Sequence, residues 1–258
     1  MILEKVLVVY MKGSDSTLKI IKKVIKSYQI KTFAKERNSI TENDFKNVDL
    51  VIAVGGDGTF LRTSHYIEHA PHMGINSDPK KKEGFFMRTT KDNFRKNFEK
   101  LLAEKYKVIN LARLEVKLNG KKIKELALNE AYIGNAKQYH TSRYVVQLGK
   151  KKELHRSSGL IVCTATGSHA WARSAGGRVI AANSKNMQLV VRESYKGNIY
   201  RSSFKSRIIG KDKIVKIRSE MDNGIVVVDS LSKEYAFKKG SRLEIKISRF
   251  PLRFVVFE

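Results

Sequence analysis

"VIAVGGDGTFLRTSHYIEH", residues 51–69, decides the fold: an apolar run, Val51 to Val54, empties into two glycines, an aspartate and a third glycine, then a helix-forming segment. A short, wholly apolar run that ends in glycine reads as a strand buried on both faces. A strand delivered straight to a helix start belongs to a βαβ unit and a parallel sheet. Glycines at Gly55, Gly56 and Gly58 permit positive φ and close approach of a ligand, and the free N–H groups of the next helical turn attract phosphate. Asp57 stands beside that anion site. A carboxylate is repelled by phosphates unless it takes up a proton, holds a metal or meets a hydroxyl. The plainer reading makes Asp57 and Thr59 helix caps, and this segment alone leaves both readings open.

The tail of the same stretch, "HYIEH", matches the H-x-x-E-H pattern with His65, Glu68 and His69. Two imidazoles four apart on a helix share a face and can hold zinc, with Glu68 as a base. A third ligand has to come from elsewhere, and a phosphate turn one helical turn upstream is an odd neighbour. The tail is therefore expected to be the polar surface end of the helix that Thr59 begins.

Outward from this stretch the same rhythm continues. "KVLVVY" (5–10) and "HMGIN" (72–76) read as strands, and Leu18, Ile21, Val24, Ile25 and Tyr28 recur at helical spacing after Ser14 or Asp15 as cap. A further helix in "KDNFRKNFEKLLAEKY" places Phe94, Phe98, Leu101 and Leu102 on one face. From Ile109 the period changes to two. Asn119-Gly120 and Asn223-Gly224 are hairpin signals, and Pro251 breaks the closing extended segments. The expectation is a Rossmann-like α/β domain (1–108), a β-rich domain (109–245) with one helical interruption after residue 168, and an extended tail (246–258) returning to the first.

Composition narrows the class. A 258-residue chain with 41% hydrophobic residues supplies a real core. No run reaches membrane-spanning length, and the opening residues alternate like a strand rather than a signal or transit peptide. A single cysteine, Cys163, excludes an internal disulfide and any multi-cysteine metal site, and the expected compartment is a reducing cytoplasm. The formal charge of +26 favours anionic partners, yet its lysines are dispersed. Lys19, Lys22, Lys23 and Lys26 form the wet face of a helix, and Lys80 to Lys82 and Lys150 to Lys152 sit in loops. No aromatic-basic stripe suits a nucleic-acid platform, so nucleic acid and membrane are not expected partners.

A second stretch, "SSGLIVCTATGSHAWARSAGG" (157–177), repeats the device: an apolar strand, small hydroxylated residues and glycine, then a helix. Two such turns suggest a nucleotide, with phosphates at one and a base near the other. Trp171 offers a flat apolar face for that base, or is simply core.

With "GGDGT" at 55–59, "LNEAYIG" at 128–134 and "TGSHAW" at 166–171 in that order, the chain resembles the NAD kinase family. "GINSDPKKKEGFF" (74–86) and the closing "VVVDS…FPLRFVVFE" extend the resemblance over essentially the whole chain. The Ser-Ser-Gly-Leu, Ser-Asp-Pro and Ala-Trp variants are most similar to its mitochondrial-type branch, and the lack of a transit peptide favours a prokaryotic relative. The Asn-Glu pair with "TGSHAW" separates this chain from lipid kinases, which share the G-G-D-G-T turn, and a catalytically weak NAD(P) sensor is a further alternative.

The resemblance implies phosphorylation of the 2′-hydroxyl on the adenosine ribose of NAD, with ATP as donor and a divalent metal, magnesium, held on the phosphates rather than by protein side chains. It implies Asp57 as the base, and Gly55, Gly56, Gly58 and Thr59 at the phosphoryl groups. Asn129 and Glu130 match the ribose-binding pair, and Thr166, His169, Ala170 and Trp171 the adenine pocket, with Ser174 counted among the NAD-binding residues. Arg156, Ser158 and Asp229 fall at the nicotinamide half, where Arg156 could also pair with the pyrophosphate and Ser158 replaces an acidic residue; His169 replaces a small hydroxyl residue. Assembly as a homodimer or homotetramer is implied too. Arg62, one turn into the helix, is read either as a phosphate contact or as a solvated residue.

Overall fold

A computed structural model describes residues 3–195, 197, 202–231 and 233–257. The chain divides into two compact units, Met1–Asn110 with Leu252–Glu258, and Leu111–Pro251. In the first, the order is β1 (Lys5–Tyr10), α1 (Asp15–Lys26), β2 (Lys31–Glu36), β3 (Leu50–Gly55), α2 (Asp57–Ser64), β4 (His72–Asn76), β5 (Thr89–Thr90), α3 (Phe94–Leu102) and β6 (Lys107–Leu111). The seven-stranded sheet runs β2-β1-β3-β4, then the C-terminal strand Leu252–Val256, then β6, with β5 on β4. β1, β2, β3 and β4 pair in parallel. The chain leaves β1 to one side for β2 and to the other for β3, so the carboxyl ends of β1 and β3 flank the topological switch point where α/β sheets bind ligands.

All six residues of β3 are buried, as its unbroken apolar run requires of a strand covered on both faces. Ile21 and Ile25 of α1 and Phe94, Phe98 and Leu101 of α3 pack with Ile52 and Val54 in one core. Each such side chain contributes about 1.5–3 kcal/mol on burial. Ser14 holds the cap position of α1 but makes no side-chain cap bond; its hydroxyl is buried without a partner. α2 starts at Asp57 rather than Thr59 and stops at Ser64, so "HYIEH" lies beyond the helix and the imidazoles do not share a helical face.

The second unit holds β7 (Leu114–Leu118), β8 (Lys121–Lys122), β9 (Glu130–Asn135), β10 (Ser142–Leu148), β11 (Lys151–Ser157), β12 (Gly159–Cys163), α4 (Trp171–Ser174), β13 (Met187–Arg192), β14 (Ser206–Ile209), β15 (Val215–Ser219), β16 (Gly224–Val228), β17 (Glu234–Ala236) and β18 (Arg242–Ile247). Two six-stranded antiparallel sheets, β11-β10-β15-β18-β7-β8 and β14-β13-β12-β9-β16-β17, bury one core of alternate residues such as Tyr144, Ile217, Ile245, Ile133 and Val162. β18 runs to Ile247, so the unit closes at Pro251, past the boundary expected at 245.

Asn119-Gly120 turns a tight hairpin, with φ of 49° and 81° and Leu118 paired to Lys121. Asn223-Gly224 does not. β15 pairs with β10 and β18, whereas β16 pairs with β9 and β17, so this segment passes the chain from one sheet to the other. Gly224 serves packing instead: a Cβ there would lie 2.2 Å from the Phe237 carbonyl oxygen. Lys151 and Lys152 belong to β11 rather than to a loop.

Candidate active site

In the first unit the glycine turn closes the carboxyl end of β3. Gly55 has φ 156°, and a Cβ there would strike Thr59 Oγ1 at 2.6 Å and Met11 Cβ at 3.1 Å, so no other residue fits. Gly56 is the extended N-cap of α2. The amides of Thr59 and Phe60 both turn back to its carbonyl, at 2.9 and 3.3 Å. The amides of Asp57 and Gly58 have no intrahelical acceptor. A Cβ at Gly58 would meet nothing within 4 Å, so this glycine is exposed to open space.

Asp57 is half-buried and fixed. Its two oxygens accept the amides of Phe85 and Phe86 at 2.8 and 2.9 Å. Those amides are held in turn by an aromatic stack: Phe60 of α2 lies parallel to Phe86 at 4.7 Å and to His72 at 3.7 Å, with Phe254 edge-on. An ionised carboxylate has about four lone-pair positions, so each oxygen retains one for a ligand proton. Thr59 is fully buried. Arg62 is half-buried in the last turn of α2 and has no hydrogen bond or ion pair to a described residue.

Two cations that the sequence reading passed over border this turn. Arg37, just after β2, directs Nη1 to Thr59 Oγ1 at 3.4 Å. Lys82 lays its stem across Gly56, its Cδ 3.3 Å from where a Cβ would stand, and donates from Nζ to Ser77 Oγ at 2.8 Å. Ser77 is itself tied to Gly55, its amide donating to the Gly55 carbonyl at 3.1 Å. The run Lys80 to Lys82 was visible in the sequence; which of its members turns inward depends on contacts 26 residues away, between Lys82 and Gly56.

The second unit builds a different kind of site around Leu128, Asn129 and Glu130. Asp229, in the left-handed region at φ 51°, accepts the amides of Leu128, Asn129 and Glu130 at 2.8, 2.7 and 3.0 Å. Thr164 and Thr166 both donate their hydroxyls to the Leu128 carbonyl, at 2.6 and 2.7 Å. Ser230 donates to Glu130 Oε1 at 3.0 Å. With the backbone so gripped, Asn129 Oδ1 and Glu130 Oε2 are left buried and without a partner. Burial and the neighbouring Asp229 charge push the Glu130 carboxyl up to about 8. Burial, with Glu130 beside it, pushes the Cys163 thiol up to about 12, which makes it an inert core group.

The structure therefore joins Asn129, Glu130, Thr166 and Asp229 by direct bonds, but in roles the sequence did not show. The Thr166 hydroxyl and the Asp229 carboxylate are turned onto backbone. The TGSHA turn is a short 3₁₀ segment, Gly167–His169, followed by four residues of α4. His169 is tethered through Nε2 to the Ile180 carbonyl at 3.0 Å. Ala170 links the two helical turns, and Ser174 is exposed at the end of α4. Trp171 stacks on Tyr132 at 5.0 Å, with the Arg192 guanidinium 4.9 Å from its ring. Ser158 lies just before β12, five residues ahead of the Cys163 that pairs with Glu130, or roughly 17 Å along the strand, and Arg156 lies on β11, paired with Arg143 of β10. Among the described residues, no three His, Cys, Asp or Glu side chains form a group able to hold a metal ion.

A parallel sheet with a glycine turn at its switch point, followed by a sandwich that keeps two buried oxygens open, defines a nucleotide-handling enzyme rather than a scaffold. Comparison with known proteins gives the family. The model of the ATP-NAD kinase N-terminal domain matches residues 2–106 and that of the C-terminal domain residues 108–257. The chain belongs to the NAD kinase family and is a kinase. It is 30% identical to an Arabidopsis thaliana NADH kinase over 81% of this chain and 74% of that one, and 31% identical to a Caldicellulosiruptor saccharolyticus NAD kinase over 82% and 78%. An NAD kinase from Archaeoglobus fulgidus in complex with ATP superposes with a TM-score of 0.81 at 25% identity, covering 98% of this chain and 93% of that one. Yeast NADH kinase complexed with NADH shares the fold, with a TM-score of 0.86 at 17% identity over 99% and 84%.

Proposed function

We propose that this enzyme transfers the γ-phosphoryl group of ATP to the 2′-hydroxyl of the adenosine ribose of NAD. The observation that carries this reading is the pair of buried, partnerless oxygens, Asn129 Oδ1 and Glu130 Oε2, on a backbone clamped from both sides. An unpaired buried polar atom costs about 1–3 kcal/mol, and two adjacent ribose hydroxyls supply the missing partners. Asp57, fixed by the Phe85 and Phe86 amides, takes the proton from the ribose hydroxyl, and the open amides at Asp57 and Gly58 with Arg62 receive phosphoryl oxygens. Magnesium supplies charge neutralisation when bound.

His169, Ala170, Trp171 and Ser174 border the adenine, whereas Arg156 near the end of β11 and Ser158 just before β12 meet only the far half of an extended dinucleotide. The plant relatives named for NADH kinase activity make the acceptor's redox state the first thing to measure. Purified protein is incubated with ATP and magnesium and with NAD, NADH or diacylglycerol in parallel. The reading expects NADP or NADPH and no phosphorylated lipid; a phosphorylated lipid with neither nucleotide product refutes it.

A further inference from the structure

The phosphate end holds two cations whose arrangement goes beyond the glycine turn itself. Arg37 is anchored through its amide to the Tyr10 carbonyl at 2.9 Å, which fixes the base of the side chain at the carboxyl end of the sheet. Its bond to Thr59 Oγ1 is long, at 3.4 Å, and its Nε is buried with no partner. Lys82 reaches the same turn from the loop after β4, over Gly56. Neither cation pairs with a carboxylate among the described residues, although Asp57 is close by. That carboxylate is turned onto the Phe85 and Phe86 amides. Each is a cation left without a counterion, and a guanidinium N–H taken out of water without an acceptor is costly. An anion with several oxygens relieves both. Space for it exists on the same turn, where Gly58 faces nothing within 4 Å.

We propose that Arg37 and Lys82 bind the polyphosphate chain of the donor nucleotide from the two sides of the Gly55–Gly58 turn. Arg37 offers a planar fork that bonds two phosphate oxygens at once, and Lys82 a point charge that swings from Ser77 onto the ligand. The proposal rests on the kinase reading for the identity of the donor but not for its chemistry, because any oligophosphate fits it.

The test uses the whole protein and calorimetric titration with inorganic tripolyphosphate, with ATP and with NAD separately. Arg37→Met and Lys82→Met are each expected to weaken tripolyphosphate and ATP binding about tenfold or more, the loss of one hydrogen-bonded charge, and to leave NAD affinity within about twofold. Arg37→Lys, which keeps the charge and loses the fork, falls between. In turnover the KM for ATP rises while the KM for NAD stays. Thermal melts matching the parent confirm that the variants fold; should Arg37→Met not fold, Lys82→Met, on the rim, gives the same reading alone. Folded variants that bind tripolyphosphate as tightly as the parent overturn the proposal. If the parent binds tripolyphosphate through these residues yet makes no NADP, the phosphate assignment stands and the acceptor reading falls.

Discussion

The two strand-to-helix turns, GGDG after β3 and TATG after β12, look alike in sequence and are opposites in structure. At the first, Gly58 faces empty space, Lys82 lies over Gly56, and the amides of Asp57 and Gly58 have no intrahelical acceptor. At the second, a Cβ on Gly167 would lie 2.0 Å from the Asn129 carbonyl oxygen and 2.5 Å from its carbon. Its hydroxyls are consumed internally as well: Thr164 and Thr166 donate to Leu128, and Ser168 donates to the Ala165 carbonyl and accepts the Ile180 amide. One glycine admits a ligand, the other admits the protein's own backbone. The second turn is thus the support that holds the Asn-Glu pair in place, not a second phosphate cradle.

The largest effect expected from this contrast is at the first turn. Asp57→Asn should cut turnover about a hundredfold to ten-thousandfold while NAD binding persists, since proton removal is lost and the Asn129–Glu130 clamp is untouched. The asparagine also turns an NH₂ toward either the Phe85 or the Phe86 amide, so a small drop in melting temperature should accompany the loss. Nearly normal turnover removes Asp57 from the base role.

A matched pair of alanines separates the two glycines. Gly167→Ala should destabilise the fold by about 3 kcal/mol or more, measured by denaturant unfolding, because the backbone it strikes has no rotamer to give. Gly58→Ala meets no atom and sits in the first turn of α2, so stability should hold or rise by up to about 1 kcal/mol, with ATP binding weakened. Equal stability for the two variants would dissolve the distinction.

Glu130 gives a smaller, pH-dependent signature. Its folded value, about 8, is above the ordinary 4.5. The unfolded chain therefore releases this proton first, and the stability it contributes is complete below about pH 4.5 and is lost as pH rises through 8. Melting temperatures from pH 5 to 9 should fall more for the parent than for Glu130→Gln, and parallel curves would contradict the raised value. The smallest effect belongs to the "HYIEH" tail, where Glu68 and His69 are exposed beyond the end of α2. His65→Ala with His69→Ala should keep activity within about twofold and leave it insensitive to added zinc.

What the sequence made legible follows from range. Buried β3 and the helical periodicity of α1 and α3 are local patterns, and each of these elements was visible in the sequence. β2, half-exposed in strict alternation, carries too little apolar weight to stand out before β1 is beside it. Asn223-Gly224 has the local chemistry of a hairpin, yet strand partners far along the chain decide that it crosses between sheets. The site divides the same way. Asp57, Asn129 and Glu130 are visible in short motifs. That Asp229 grips the Asn129 amide from 100 residues away, and that Arg37 meets Thr59 from 22 away, are contacts only the fold creates.

The central claim is tested most directly by following a labelled phosphoryl group. With γ-labelled ATP, magnesium and NAD, the account predicts that the label leaves ATP and appears as a phosphomonoester on the 2′ position of the adenosine ribose, located by phosphorus NMR of the product. Label that stays on ATP, is released only as inorganic phosphate, or appears at any other position of the dinucleotide contradicts it.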